Sequence, residues 1–76
     1  MESSFGARIR YARQVCGMSQ AELARRIGIT PGALSQIELE KSQVYAERIR
    51  DVARVLQVDA RYLLGLTHDR GEAQKQ

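Results

Sequence analysis

The sequence predicts a compact all-α domain of five helices, and three observations lead to this fold class. Its 76 residues suffice for one modest hydrophobic core. The chain contains only one proline and six glycines, and its most frequent residues, such as alanine, arginine and leucine, are strong helix formers. No segment alternates apolar and polar residues in the way that is typical of a β-strand.

The first helix is predicted over about residues 4–15, with Ser3 or Ser4 as its N-cap. Gly17 ends this helix. Its apolar face has helical spacing and comprises Phe5, Ile9, Ala12 and Cys16. Because Cys16 is the only cysteine, it has no partner for a disulfide or a metal site. We therefore expect it to be a small buried residue in a reducing compartment.

Two short helices are predicted next. Ser19 caps the second helix, Glu22 completes a capping-box pattern, and Gly28 ends the helix. Thr30 then caps a third helix over about 31–39, with proline at its favoured first position. The apolar residues that we expect to face the core are Leu23, Ala24, Ile27, Leu34 and Ile37.

A polar loop over 40–44 separates these helices from the last two. The fourth helix spans about 45–56, with one apolar face formed by Ile49, Val52, Ala53 and Leu56. Asp59 caps a short fifth helix that runs to Leu64, and Gly65 stops it.

Domain organisation and composition narrow the functional classes. The predicted domain covers residues 1–66, and the polar, aperiodic residues 67–76 are expected to form a flexible tail. The sequence has no signal peptide and no apolar run of membrane-spanning length, so we expect a cytoplasmic protein. We find no catalytic constellation, metal-ligand cluster or phosphate-binding glycine loop, and expect neither an enzyme nor a cofactor. The net charge of +3 is compatible with an anionic partner but mild.

The segment 19–38 carries the functional signal. Its two short helices are joined by a three-residue turn, so they must cross at a steep angle. In this geometry the second helix projects from the surface and can enter the major groove of DNA.

The residues of this segment resemble the lambda-repressor-like helix-turn-helix family, also called the xenobiotic-response-element family, to which phage repressors and Cro proteins belong. The resemblance covers about residues 5–66. It is carried by Met18-Ser19-Gln20-Ala21-Glu22-Leu23-Ala24, Ile27-Gly28-Ile29-Thr30 and Leu34-Ser35-Gln36-Ile37-Glu38, with Arg8-Ile9-Arg10, Arg13, Val52-Ala53, Leu56 and 59–65 outside them.

The resemblance implies a sequence-specific DNA-binding transcriptional regulator of a phage or bacterium, most simply a repressor. Such a protein binds a palindromic operator as a homodimer. The matching positions imply DNA contacts by Gln20, Thr30, Pro31, Gly32, Ala33, Ser35, Gln36, Lys41, Ser42, Gln43 and Arg13. Gln36 is the best candidate for base readout, since a glutamine can bond adenine through N6 and N7. No arginine or lysine lies between Gly28 and Glu40, so DNA shape should contribute to specificity.

The resemblance also implies a salt bridge between Arg13 and Glu38 that ties the motif to the first helix. Arg10 or Arg13 could in addition face a phosphate. The other arginines are expected mostly on solvated faces, paired with Glu22, Glu47 or Asp51. The sequence departs from the family after Glu38, where Leu39-Glu40 replaces arginine or asparagine followed by glycine. Glu40 thus places an acid beside the expected phosphate path.

Two questions stay open at the level of sequence. We expect Ala60, Leu63 and Leu64 to face the core, which leaves Tyr62 outward as a dimer contact with Leu66. The alternative is a half-buried Tyr62 that covers the core of the monomer. The alternative functions are an antitoxin-type protein that also binds a toxin, a protein-interaction module with the same fold, or the DNA-binding part of a larger repressor.

Overall fold

The computed structural model describes residues 4–68, and five α-helices occur in this range. They are α1 (Phe5–Val15), α2 (Gln20–Ile27), α3 (Pro31–Glu38), α4 (Ala46–Leu56) and α5 (Ala60–Leu63). The predicted all-α class is confirmed. The possible cap Ser3 and most of the predicted tail, residues 69–76, lie outside the described residues. Within the described range no helix is long and apolar enough to span a membrane.

Four of the five helices in the described residues, all except α4, begin at a capping side chain that was predicted. The hydroxyls of Ser4, Ser19 and Thr30 each accept a hydrogen bond from the backbone N–H three residues later. The Asp59 carboxylate caps α5 by accepting from the Arg61 N–H, two residues later. The capping box of α2 is only half formed, because the Glu22 carboxylate pairs with two arginines of its own helix.

Every helix ends in the same backbone arrangement, a left-handed residue that closes the last turn with two backbone hydrogen bonds. Gly17, Gly28 and Gly65 provide this residue after α1, α2 and α5. Glu40 and Gln57 provide it after α3 and α4, at φ values of 61° and 58°. Residues other than glycine are uncommon in this conformation. The sequence alone therefore does not identify Glu40 and Gln57 as the residues that end α3 and α4.

The core is formed by residues from all five helices, and its fully buried large side chains are Ile9, Leu23, Leu34, Val52, Leu56 and Leu63. The small Ala24 is also fully buried, so α2 and α3 approach closely.

Of the two alternatives for Tyr62, the structure shows the inward one: Tyr62 is 7% exposed and is not an outward dimer contact. The predictions that Leu64 and Cys16 are buried were wrong, and Leu64 is 49% exposed. The Tyr62 ring faces the Arg8 guanidinium at 5.1 Å, and the Tyr62 carbonyl accepts a hydrogen bond from it. Cys16 is exposed because it follows the last residue of α1. Its Sγ lies 3.5 Å from the carbonyl oxygen of Leu56.

Candidate nucleic-acid interface

The helix α3 is held so that one side packs on the core and the other side faces solvent. Gly28 takes φ 80° at the end of α2, and the chain turns through Ile29 to the cap at Thr30. Leu34 and Ile37 are buried. The residues on the open side are Pro31, Gly32, Ala33 and Gln36, all exposed, with Ser35 partly exposed. The predicted reading face is therefore accessible to a groove of DNA.

A buried carboxylate fixes the C-terminal end of α3. The side chain of Glu38 is 1% exposed. It accepts hydrogen bonds from Arg13 Nε at 2.8 Å and Arg13 Nη2 at 3.1 Å, and from Gln20 Nε2 at 3.0 Å. Arg10 Nε lies 3.9 Å away. We call Arg10, Arg13, Gln20 and Glu38 the Glu38 cluster; it joins α1, α2 and α3.

The predicted ion pair between Arg13 and Glu38 is thus present and bidentate, a geometry that suits arginine. Arg13 also donates through Nη1 to the Met18 carbonyl at 3.0 Å. Its side chain is only 11% exposed, whereas that of Arg10 is 53% exposed. The geometry therefore favours Arg10 over Arg13 as the arginine that faces an anion.

The loop after α3 presents Lys41, Ser42 and Gln43 to solvent. A surface groove of about 440 Å³ separates this loop from α3. Its walls include Ala33 and Gln36 on the α3 side and Ser42 and Gln43 on the loop side. The structure thereby brings together two groups of residues that the sequence placed in separate segments.

The Glu40 carboxylate binds the start of α1. Its Oε2 accepts a hydrogen bond from the Gly6 N–H at 2.8 Å, at the start of α1. Hydrogen bonds from the Ser4 hydroxyl and from this N–H lower the pKa of the Glu40 carboxyl below its ordinary value of 4.5. The carboxylate thus serves the N-terminus of α1, where negative charge is stabilising.

Sequence reasoning missed three structural contributors. Arg8 is 7% exposed and binds Tyr62, and Arg48 Nη1 donates to the Ile27 carbonyl at 2.6 Å; both belong to the arginines that were expected mostly on solvated faces. Gly6 packs directly against the Glu38 carbonyl, where a Cβ atom would overlap it. The available signal was a glycine in the first turn of a helix, a position it does not favour.

Comparisons with known proteins agree with this geometry. The chain matches the helix-turn-helix family model over residues 9–63. Its structure is similar to the P22 c2 repressor in complex with a synthetic operator, with a TM-score of 0.79 and 29% identity over 87% of this chain and 100% of that chain. It is also similar to the DNA-binding domain of the P22 c2 repressor in solution, with a TM-score of 0.77 and 31% identity over 84% of this chain and 86% of that one.

The N-terminal DNA-binding domain of SinR from Bacillus subtilis is a further similar structure, with a TM-score of 0.73 and 33% identity over 79% of this chain and 88% of that one. No curated protein matches the sequence. The family match and the shared arrangement of five helices confirm the resemblance drawn from the motif residues. This chain belongs to the helix-turn-helix family and has the fold of its lambda-repressor-like DNA-binding domains.

Proposed function

We propose that this protein is a transcriptional repressor that binds a near-palindromic operator as a homodimer, with α3 in the major groove. The observation that carries this proposal is the exposed face of α3, whose C-terminal end is fixed by the Glu38 cluster. A helix that enters a groove must be held rigidly, because base contacts depend on angstrom-scale placement. The P22 c2 repressor and SinR, both similar in structure, have been solved with DNA.

The face of α3 that would read the bases carries few hydrogen-bonding side chains. Gln36 is exposed near the middle of α3 and is suited to adenine, to which an amide side chain donates and from which it accepts. Pro31, Gly32 and Ala33 offer only close approach and contacts to thymine methyl groups. Ser35 can bond a base or a phosphate. Sequence-dependent DNA shape therefore supplies part of the specificity.

Phosphate contacts flank this surface on both sides. Gln20 and Thr30 lie at the N-termini of α2 and α3, where backbone N–H groups and the helix dipole favour an anion. Ser42 and Gln43 line the groove beside α3 from the loop side, Lys41 next to them is exposed, and Arg10 supplies an exposed guanidinium. Arg13 does not face a phosphate in this proposal; it orients the motif through its ion pair with Glu38.

The homodimer contact is assigned to the exposed end of α5 and the residues after it. Leu64 and Leu66 are 49% and 71% exposed, and exposed leucines are suited to a small apolar interface. Tyr62 does not contribute, because it is buried in the monomer. A dimer bound over a promoter blocks polymerase, and the protein acts in the cytoplasm, where bacterial DNA lies.

The test is selection of bound duplexes from a random pool of about 30 base pairs, followed by sequencing. Symmetric half-sites centred about 10–10.5 base pairs apart support the proposal. The Gln36→Ala variant should lose preference at one position of each half-site. Salt-sensitive binding without an enriched sequence would contradict the proposal and favour a protein-interaction module.

A further inference from the structure

Glu40 occupies a backbone position that glycine fills without strain. It lies at φ 61° directly after α3. Its own N–H donates to the Ile37 carbonyl, and the next N–H, of Lys41, donates to the Gln36 carbonyl. Three of the five helices in the described residues end on glycine at this position. A glutamate here is intrinsically unfavourable, so its side chain should contribute something that glycine does not.

The contribution is a bond between the start of α1 and the loop after α3. The Glu40 carboxylate accepts from the Gly6 N–H at 2.8 Å and from the Ser4 hydroxyl. In addition, Gly6 packs without a Cβ against the Glu38 carbonyl. The start of α1 is therefore held by two contacts with the same short segment, 38–40.

We propose that Glu40 is a positioning residue for DNA binding, which ties the loop at 41–43 to α1 and thereby fixes one wall of the groove beside α3. The same bond turns the negative charge of Glu40 toward α1 and away from the phosphate path. This inference rests on the proposed function, because the loop and Gln36 form the two walls that a DNA strand would meet. Glycine at position 40 would relax the backbone but release the loop.

The experiment compares three variants at a temperature where all are folded. Glu40→Gly removes both the strain and the carboxylate, whereas Glu40→Gln removes the charge but keeps an oxygen acceptor. Gln57→Gly is the matched control, since Gln57 closes α4 with the same backbone geometry and makes no side-chain hydrogen bond within residues 4–68. The measurements are affinity for the selected operator, its salt dependence, and hydrogen exchange of the Gly6 amide.

We expect Gln57→Gly to raise the melting temperature and leave operator affinity unchanged. Glu40→Gln should bind the operator as well as the parent protein. Glu40→Gly should bind about fivefold more weakly than Glu40→Gln, with faster exchange of the Gly6 amide, since it lacks the side-chain oxygen that accepts from the Gly6 N–H. Because both variants at position 40 lack the charge, the difference between them isolates positioning from electrostatic repulsion of DNA.

Equal affinity of the two variants at position 40 would overturn the positioning role. Unchanged protection of the Gly6 amide in Glu40→Gly would overturn the bond itself. If the parent protein selects no DNA sequence, the proposed function fails and the role of Glu40 in DNA binding fails with it. The exchange of Gly6 still decides in that case whether Glu40 holds α1 to the loop, so the two failures are distinguishable.

Discussion

At the scale of single residues, the position of α3 depends on the buried carboxylate of Glu38. Its side chain is 1% exposed, and an ionised carboxylate in such a place must be neutralised by charge and hydrogen bonds. Arg13 provides two of these bonds and Gln20 provides one. Since the donors come from α1 and α2, loss of either donor should affect both stability and the orientation of α3.

Replacement of Arg13 by alanine should lower the free energy of unfolding by about 3 kcal/mol, because it leaves a buried carboxylate without its main partner. Urea unfolding followed by circular dichroism measures the change. Arg54→Ala is the control, since Arg54 forms an exposed pair with Asp51 and its side chain is 71% exposed. That control should change stability by less than about 1 kcal/mol. Similar losses in the two variants would show that Glu38 does not depend on Arg13.

Gly6 and Gly32 offer a second comparison between matched residues. Each is the second residue of its helix, in α1 and α3 respectively. A Cβ atom at Gly6 would overlap the Glu38 carbonyl, whereas a Cβ at Gly32 would meet nothing within 4 Å. Gly6→Ala should therefore destabilise the fold by about 1–3 kcal/mol, and Gly32→Ala should stabilise it by up to about 1 kcal/mol. Thermal unfolding of both variants is the measurement, and a neutral Gly6→Ala would contradict the close packing of α1 on α3.

At the scale of the helices, most starts were predictable, but the directions of Tyr62 and Glu40 were not. Ser19, Thr30 and Asp59 cap their helices through bonds to residues two or three positions away, so a local pattern suffices to recognise them. Tyr62 faces inward because Arg8, far away in sequence, covers its ring. The Glu40 carboxylate likewise binds a partner far away in sequence, the N–H of Gly6, 34 residues before it. A single sequence does not reveal such long-range partners.

The reading face itself could be predicted because it follows from the same local rules. The spacing of Leu34 and Ile37 decides which side of α3 is buried, and the rest must be exposed. The groove between α3 and the following loop could not be predicted in this way. Its shape depends on the left-handed conformation of Glu40, which no periodicity indicates.

The cap of α5 should make stability depend on pH. Hydrogen bonds from the Arg61 side chain, and then from the Arg61 N–H, lower the pKa of the Asp59 carboxyl from 3.8 to about 2. A lowered pKa in the folded state means that the stabilisation is present above pH 3.8 and is lost as the pH falls toward 2. The melting temperature should fall across this window. Asp59→Asn, which keeps a capping oxygen, should show a flatter profile in scanning calorimetry; an identical profile would exclude Asp59 as a cause.

At the scale of the whole molecule, the proposed binding to a palindromic operator requires two copies held at a fixed distance. Neighbouring recognition helices on one face of B-DNA are about 34 Å apart, one helical turn. The longest extent of the described part of one chain is also 34 Å. Two copies that lie side by side can therefore occupy adjacent half-sites. The choice of contact surface therefore determines which spacing of half-sites is read.

The assignment of this contact to the end of α5 leads to the last prediction. Leu66→Glu should weaken dimerisation at least about tenfold, because an apolar anchor is replaced by a charge that must be desolvated. Affinity for a duplex with two half-sites should fall by a similar factor, whereas affinity for a single half-site should not change, since α3 is untouched. Sedimentation equilibrium and band-shift titration measure the two quantities.

Val15→Glu is the control, because Val15 on α1 is 51% exposed and lies outside the assigned contact. If Val15→Glu breaks the dimer and Leu66→Glu does not, the interface lies on α1, and the orientation of the two recognition helices differs from the one proposed.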